Sequence, residues 1–147
     1  MAEALKYKHS DLSGLIPVQI IGTQRSGSNL LRLMLNQLKG VFAPHPPHIL
    51  ATFMEFAPFY GDLAQPENFT ELVADICGFV KKNPVPWRQD TLETELIAHH
   101  SREQSLFGIY RSIYEINAVS HDARWWFNKS LQNVRFLEVF KERNFFF

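Results

Sequence analysis

The sequence predicts an α/β fold of three layers, with a short parallel sheet and a helical segment inserted between the second and third strands. Three observations indicate this class. A short apolar stretch closed by a glycine precedes an apolar helix, the middle of the chain repeats its apolar residues with a helical period, and an aromatic stretch follows. Hydrophobic residues make up 46% of the 147 positions and charged residues 20%, the composition of one globular domain. We therefore treat residues 1–147 as a single domain.

The first half of the predicted sheet comes from two short segments near the N-terminus. Residues 17–22 (PVQIIG) are apolar and β-branched, as in a buried strand. A polar loop follows, and apolar residues then recur at helical spacing over 30–38 and stop at Gly40, a common helix terminator. Residues 40–43 predict a second strand. The prolines in 44–47 end it, since proline cannot donate to a strand ladder.

The middle of the chain predicts three helices, each from a start signal in which a polar residue precedes Glu or Gln by three positions. The pairs are Asn68 with Glu71, Asp90 with Glu93, and Ser101 with Gln104. Residues 124–128 then predict a third strand, and Ser130 is a candidate cap for a further helix. Residues 144–147 resemble the start of another strand, so we expect a domain that is incomplete at its C-terminus.

Charge and cysteine content exclude several classes of protein. Lys and Arg number 15, as do Asp and Glu, and this balance argues against a general nucleic-acid binder. The acidic residues are concentrated between 50 and 123, so the two basic ends could form one local anion site. Cys77 is the only cysteine, which leaves no intrachain disulfide and no cysteine-rich zinc site. No apolar run reaches the ~20 residues of a membrane span, and we expect a cytoplasmic protein.

The loop between the first strand and the first helix carries the strongest functional signal. Gly22 and Gly27 have the G-x4-G spacing of a nucleotide-triphosphate loop, which directs backbone N–H groups at an anion. Ser28 and Asn29 occupy the positions of the phosphate lysine and of the hydroxyl that holds magnesium. The positive charge is instead within the loop, at Arg25. This P-loop-like pattern predicts an anion site that needs no metal.

Residues 17–35 (PVQIIGTQRSGSNLLRLML) resemble the 5′-phosphosulfate loop of bacterial-type sulfotransferases that use 3′-phosphoadenosine-5′-phosphosulfate (PAPS). Residues 125–133 (WWFNKSLQN) resemble a later segment of the same family, in which an aromatic strand ends in Asn-Lys-Ser. The resemblance implies sulfuryl transfer from PAPS to a hydroxyl or amine of a small-molecule or carbohydrate acceptor. We expect the whole loop to bind the donor: Gly22, Thr23, Gln24, Arg25, Ser26, Gly27, Ser28 and Asn29.

Three polar residues follow the predicted strands and are candidates for the chemistry. Arg25, His45 and Lys129 each come after a strand, and the carboxyl ends of parallel strands meet at one edge of a sheet. The resemblance implies a His or Glu base after the second strand. We expect His45 to be this base, with His48 as the alternative, because His45 is nearer the strand end. The resemblance also implies that Arg25 and Lys129 stabilise the leaving phosphate.

Two other functions remain open from the sequence. One is a noncatalytic nucleotide- or phosphate-binding domain, and the other is a P-loop kinase, which the serine at position 28 argues against. In the resembled family the 3′-phosphate of the donor is bound after the next strand, by an Arg-Asp-Pro-Arg or Arg-Asp-Gly-Arg motif. The sequence ends at Phe147, where that strand is predicted to begin, and we expect incomplete donor binding by these residues alone.

Overall fold

The computed structural model describes residues 6–147, and its centre is a parallel sheet of three short strands. These strands are β1 (Ile16–Gln19), β2 (Val41–Phe42) and β3 (Trp125–Asn128). Their order is β1-β3-β2, so β3 is the middle strand of the three. Trp126 of β3 is paired with Pro17 of β1 on one side and with Phe42 of β2 on the other. All three strands end at the same edge of the sheet. The predicted α/β class with a short parallel sheet is confirmed.

Helices fill the rest of the described chain. They are α1 (His9–Ser13), α2 (Ser28–Leu35), α3 (Ile49–Phe53), α4 (Pro66–Lys81), α5 (Thr94–His100), α6 (Leu106–Ser120) and α7 (Leu137–Glu142). Short 3-10 helices occupy Ala57–Tyr60, Gln89–Thr91 and Leu131–Phe136. Four of the α-helices lie between β2 and β3, which confirms the predicted helical insertion. Within residues 6–147, no helix combines the length and the apolar character needed to cross a bilayer.

The predicted start signals of the inserted helices are wrong, although the helices themselves exist. Helix α4 begins at Pro66, two positions before Asn68, because proline has the backbone angle of a first helical turn. Helix α5 begins only at Thr94, since the residues around Asp90 form a separate 3-10 turn. Helix α6 is capped by Ser105, whose Oγ accepts the Gly108 N–H at 3.0 Å. Sequence spacing alone therefore located the apolar faces but not the caps.

One face of the sheet packs on α6 and forms the core. Trp126 is fully buried there and stacks on Tyr114 of α6, with ring centroids 4.8 Å apart. Successive strand residues point to opposite faces, so its neighbour Trp125 lies on the other face and is 40% exposed. Of the two tryptophans of β3, Trp126 therefore belongs to the core and Trp125 does not.

The predicted strand at the C-terminal end also forms its first contacts. Phe146 pairs with β1 in parallel: its N–H donates to the Pro17 carbonyl at 2.9 Å, and its carbonyl accepts the Gln19 N–H at 2.9 Å. Strand β1 thus has hydrogen-bonded neighbours on both sides, β3 on one and Phe146 on the other. The loop that follows β1 leaves from an interior strand of the sheet.

Candidate anion-binding site

A cavity of about 620 Å³ opens at the carboxyl edge of the sheet. Segments that follow all three strands contribute to its wall: Gln24, Arg25, Gly27, Ser28 and Asn29 after β1, His48 after β2, and Lys129, Leu131 and Gln132 after β3. Two of the three predicted catalytic residues, Arg25 and Lys129, therefore line one cavity. His45 does not line it.

The floor of the cavity is the N-terminus of α2. Gly27 precedes this helix with φ +79°, a left-handed conformation that glycine adopts without steric cost. No side chain caps the helix, and the first N–H groups of a helix have no partner within it. Those N–H groups and the positive end of the helix dipole together favour a bound anion.

Two residues of the cavity wall other than glycine have strained backbones. Arg25 has φ +61° and His48 has φ +58°, both in the left-handed region. This conformation costs roughly 1–2 kcal/mol for a residue with a side chain, and such strain concentrates at functional sites. Arg25 follows β1 and His48 follows β2, so two separate segments of the chain each contribute one strained residue to the cavity wall.

Three residues of the predicted loop do not line the cavity: Gly22, Thr23 and Ser26. The Ser26 hydroxyl donates to the Thr23 carbonyl at 2.6 Å, which closes the loop on itself. A Cβ on Gly22 would lie 3.3 Å from Ser26 Oγ, closer than most side-chain contacts. We infer that these three residues shape the loop, and that the five others face the cavity.

The two histidines of the 44–48 segment have different surroundings. Nδ1 of His48 is hydrogen-bonded to Ser130 Oγ at 2.8 Å, and its ring reaches the cavity. Nδ1 of His45 is buried and has no hydrogen-bond partner within the described part of the chain. Burial lowers the pKa of both rings, and the Lys129 charge lowers both further. Both imidazoles are therefore neutral at neutral pH, the form that accepts a proton.

Ser130 is held in place by the buried core of the protein. It is fully buried, and its N–H donates to Asn128 Oδ1 at 2.6 Å. Asn128 Nδ2 in turn donates to the hydroxyl of Tyr114 at 2.7 Å. The Ser130 carbonyl accepts a hydrogen bond from Gln19 at 3.2 Å. The predicted capping role of Ser130 is wrong, because its side chain makes no cap bond and contacts His48 instead.

Sequence reasoning did not identify Arg32, a buried cation whose hydrogen-bond partner Asn29 lines the cavity. Its side chain is on α2, and the residue is only 6% exposed. Nη1 donates to the Ala43 carbonyl at 2.9 Å and Nε to Asn29 Oδ1 at 3.2 Å. No carboxylate pairs with it among residues 6–147. Arg32 thus ties the start of α2 to the end of β2. The available signal was an arginine inside an apolar helical stretch.

The parallel sheet, the glycine-bearing turn from β1 into α2 and the cationic cavity are features typical of α/β proteins that bind anionic groups. Comparison with protein families agrees. Residues 17–143 match the sulfotransferase family, and the chain belongs to that family. The match runs from β1 to the residue after α7 and includes both segments from which the family was predicted. No curated protein and no solved structure gave a significant match to the sequence.

Proposed function

We propose that this sulfotransferase-family protein transfers a sulfuryl group from PAPS to a hydroxyl or amine of a small-molecule or carbohydrate acceptor. The observation that supports this most is the cavity that joins the α2 N-terminus, two cations and a neutral imidazole. Bound PAPS would supply a sulfuryl group attached to a phosphate leaving group. The residues present fit such an anionic donor, since backbone N–H groups, Arg25 and Lys129 all face the same space. We also propose a cytoplasmic location, because the sequence has no apolar run of the ~20 residues that a membrane span needs.

Several polar groups of the cavity wall have a proposed role in the transfer. The α2 N–H groups hold the donor oxygens, and Asn29 adds a side-chain contact. Arg25 and Lys129 stabilise the negative charge that develops on the 5′-phosphate as its bond to sulfur breaks. Guanidinium does not release its proton near neutral pH, so Arg25 acts through its charge and its hydrogen-bond donors and not as a general acid. The new bond forms between sulfur and the acceptor oxygen or nitrogen, and a histidine takes the acceptor proton.

We propose His48 as that histidine, in preference to the His45 expected from the sequence. His48 is the histidine of the cavity wall, and its Nδ1 is occupied by Ser130. With Nδ1–H donating to Ser130 Oγ, the lone pair of Nε2 is available for the acceptor proton. The role of His45 as the base stays a prediction from the sequence. Comparison of the turnover of the His45→Ala and His48→Ala variants tests it.

The absence of a P-loop lysine and magnesium hydroxyl from the loop predicts that the transfer needs no divalent ion. Transfer of labelled sulfate from PAPS to a panel of acceptors should continue unchanged in EDTA. Activity lost in EDTA and restored by magnesium would support the kinase-like alternative. Donor binding without transfer to any acceptor would support the noncatalytic alternative.

Ser130 is proposed as a positioning residue for His48. Ser130→Ala removes the hydrogen bond at Nδ1, and we expect turnover to fall about tenfold while the KM for the donor is unchanged, the cost of one hydrogen bond. Ser130→Thr keeps the hydroxyl and should restore most of the activity. Steady-state kinetics of the two variants measure this. Equal loss in both variants, with a raised KM for the donor, would mean that Ser130 only supports the fold.

A further inference from the structure

A second and larger cavity, a groove of about 900 Å³, lies between α3, the 57–60 turn and α4. Aromatic side chains form much of its wall: Phe53, Phe56, Phe59, Tyr60 and Phe79. Phe59 is 86% exposed and Phe56 is 55% exposed. Neighbouring aromatic residues left open to water around a groove are typical of a ligand site.

Helix α3 connects this groove with the anion-binding cavity. His48, on the cavity wall, is the residue immediately before α3, and its carbonyl accepts the Thr52 N–H at 3.0 Å. Thr52 is therefore four residues, about 6 Å, along the helix from His48, and it lines the groove. Side chains on a helix lean toward its N-terminus, so Thr52 leans toward His48. Helix α3 also packs both on α4 and on the 131–136 turn of the cavity wall.

The groove is acidic as well as aromatic. Glu71 and Asp75 lie one turn apart on α4, and both line it. Asp75 accepts a hydrogen bond from the Tyr60 hydroxyl at 2.6 Å. Burial, this hydrogen bond and the charges of both carboxylates raise the pKa of Tyr60 to about 12. Neither carboxylate forms an ion pair within residues 6–147, and the cation on the described wall, Lys82, lies two turns beyond Asp75.

We propose that this groove binds the acceptor, and that the acceptor is a hydroxyl compound with an aromatic body and a protonated amine. The proposal rests on the proposed sulfuryl transfer. The aromatic ring would pack against Phe56 and Phe59, and the ammonium would lie near Asp75 and Glu71, where both the carboxylates and the ring faces attract a cation. The hydroxyl would then extend along α3 toward His48.

Three phenols of similar shape test the charge preference: tyramine, 4-ethylphenol and 3-(4-hydroxyphenyl)propionate. Calorimetry with the 147-residue chain, without donor, should rank tyramine tightest and the propionate weakest. Asp75→Asn should weaken tyramine binding about fivefold and leave 4-ethylphenol unchanged, as expected for one exposed charge pair. Glu71→Gln should act in the same direction. Glu67→Gln, the same charge change on α4 outside the groove, should have no effect.

The outcomes separate this proposal from the proposed function. If the three phenols bind equally, or if Asp75→Asn and Glu71→Gln leave tyramine affinity unchanged, the acceptor class is wrong even when PAPS supports transfer to some acceptor. If the binding preference is found but no acceptor is sulfated, the proposed function fails and the groove is an amine site of another kind. Phe59→Ala should weaken both tyramine and 4-ethylphenol, and no change would exclude the groove as the phenol site.

Discussion

Replacing His48 by alanine is expected to lower the turnover of sulfuryl transfer by about 10²–10⁴-fold, the usual contribution of a general base. Affinity for adenosine 3′,5′-bisphosphate should be almost unchanged, because the imidazole acts on the acceptor proton rather than on the donor phosphates. Single-turnover kinetics with saturating PAPS and calorimetry with the bisphosphate measure the two quantities separately.

His45→Ala is the matched control, since it removes the same ring from the same segment but from outside the cavity wall. We expect a much smaller loss of turnover. If His45→Ala causes the large loss of turnover and His48→Ala does not, the base is His45, as expected from the sequence, and His48 does not take the acceptor proton.

The pH dependence of turnover is an independent test of His48 as the base. A base works when neutral, so turnover should be full above the pKa of His48 and fall as the pH drops through it. Burial, His45 and Lys129 all lower that pKa, which puts the acidic limb below the ordinary histidine value of about 6.5. Lys129→Met removes one of the positive charges. The limb should then move to higher pH, whatever the change in maximal turnover.

Replacing Arg25 by alanine has the second large expected effect. Loss of a charged contact should weaken binding of adenosine 3′,5′-bisphosphate by about 1.5–3 kcal/mol. Turnover should fall by about 10²–10³-fold in addition, because the guanidinium stabilises the negative charge that develops on the 5′-phosphate only during transfer. Arg25→Lys should be intermediate, since a lysine keeps the charge but not the planar pair of donors.

Arg25 also has a left-handed backbone, and the alanine variant alone does not separate charge from backbone strain. Arg25→Asn is the control, because asparagine tolerates this conformation better than other residues with a side chain. The asparagine and alanine variants should lose donor affinity alike if the guanidinium is the contact. Recovery of affinity in Arg25→Asn would show that Arg25 shapes the loop and does not bind the donor.

The strands and the loop could be predicted because their signals are local. An apolar β-branched stretch, two glycines and an apolar helix follow one another within about 20 residues, and each has its own physical cause. The helix caps could not be predicted as reliably. Ser101 and Ser105 are both plausible caps by residue type, but Ser101 is the residue at the C-terminal end of α5 and Ser105 caps α6.

The cavity was predictable in outline and not in detail. Parallel strands bring their carboxyl ends together, so Arg25 and Lys129 could be expected at one edge of the sheet. The choice between His45 and His48 depends on side-chain directions in a proline-rich segment with no regular repeat. The contact between Ser130 and His48 joins residues 82 positions apart, and no sequence period links them.

The pairing of β1 with neighbours on both sides has a consequence for the motions of the protein. The amides of Ile16 and Ile20 are tied to the β3 side, and the amide of Gln19 is tied to Phe146. Deuterium should therefore replace these protons slowly, and exchange should become fast only in the residues after Ile20. The boundary between slow and fast exchange would then lie between Ile20 and Ile21, where the sheet hydrogen bonds of β1 end and the candidate anion-binding turn begins.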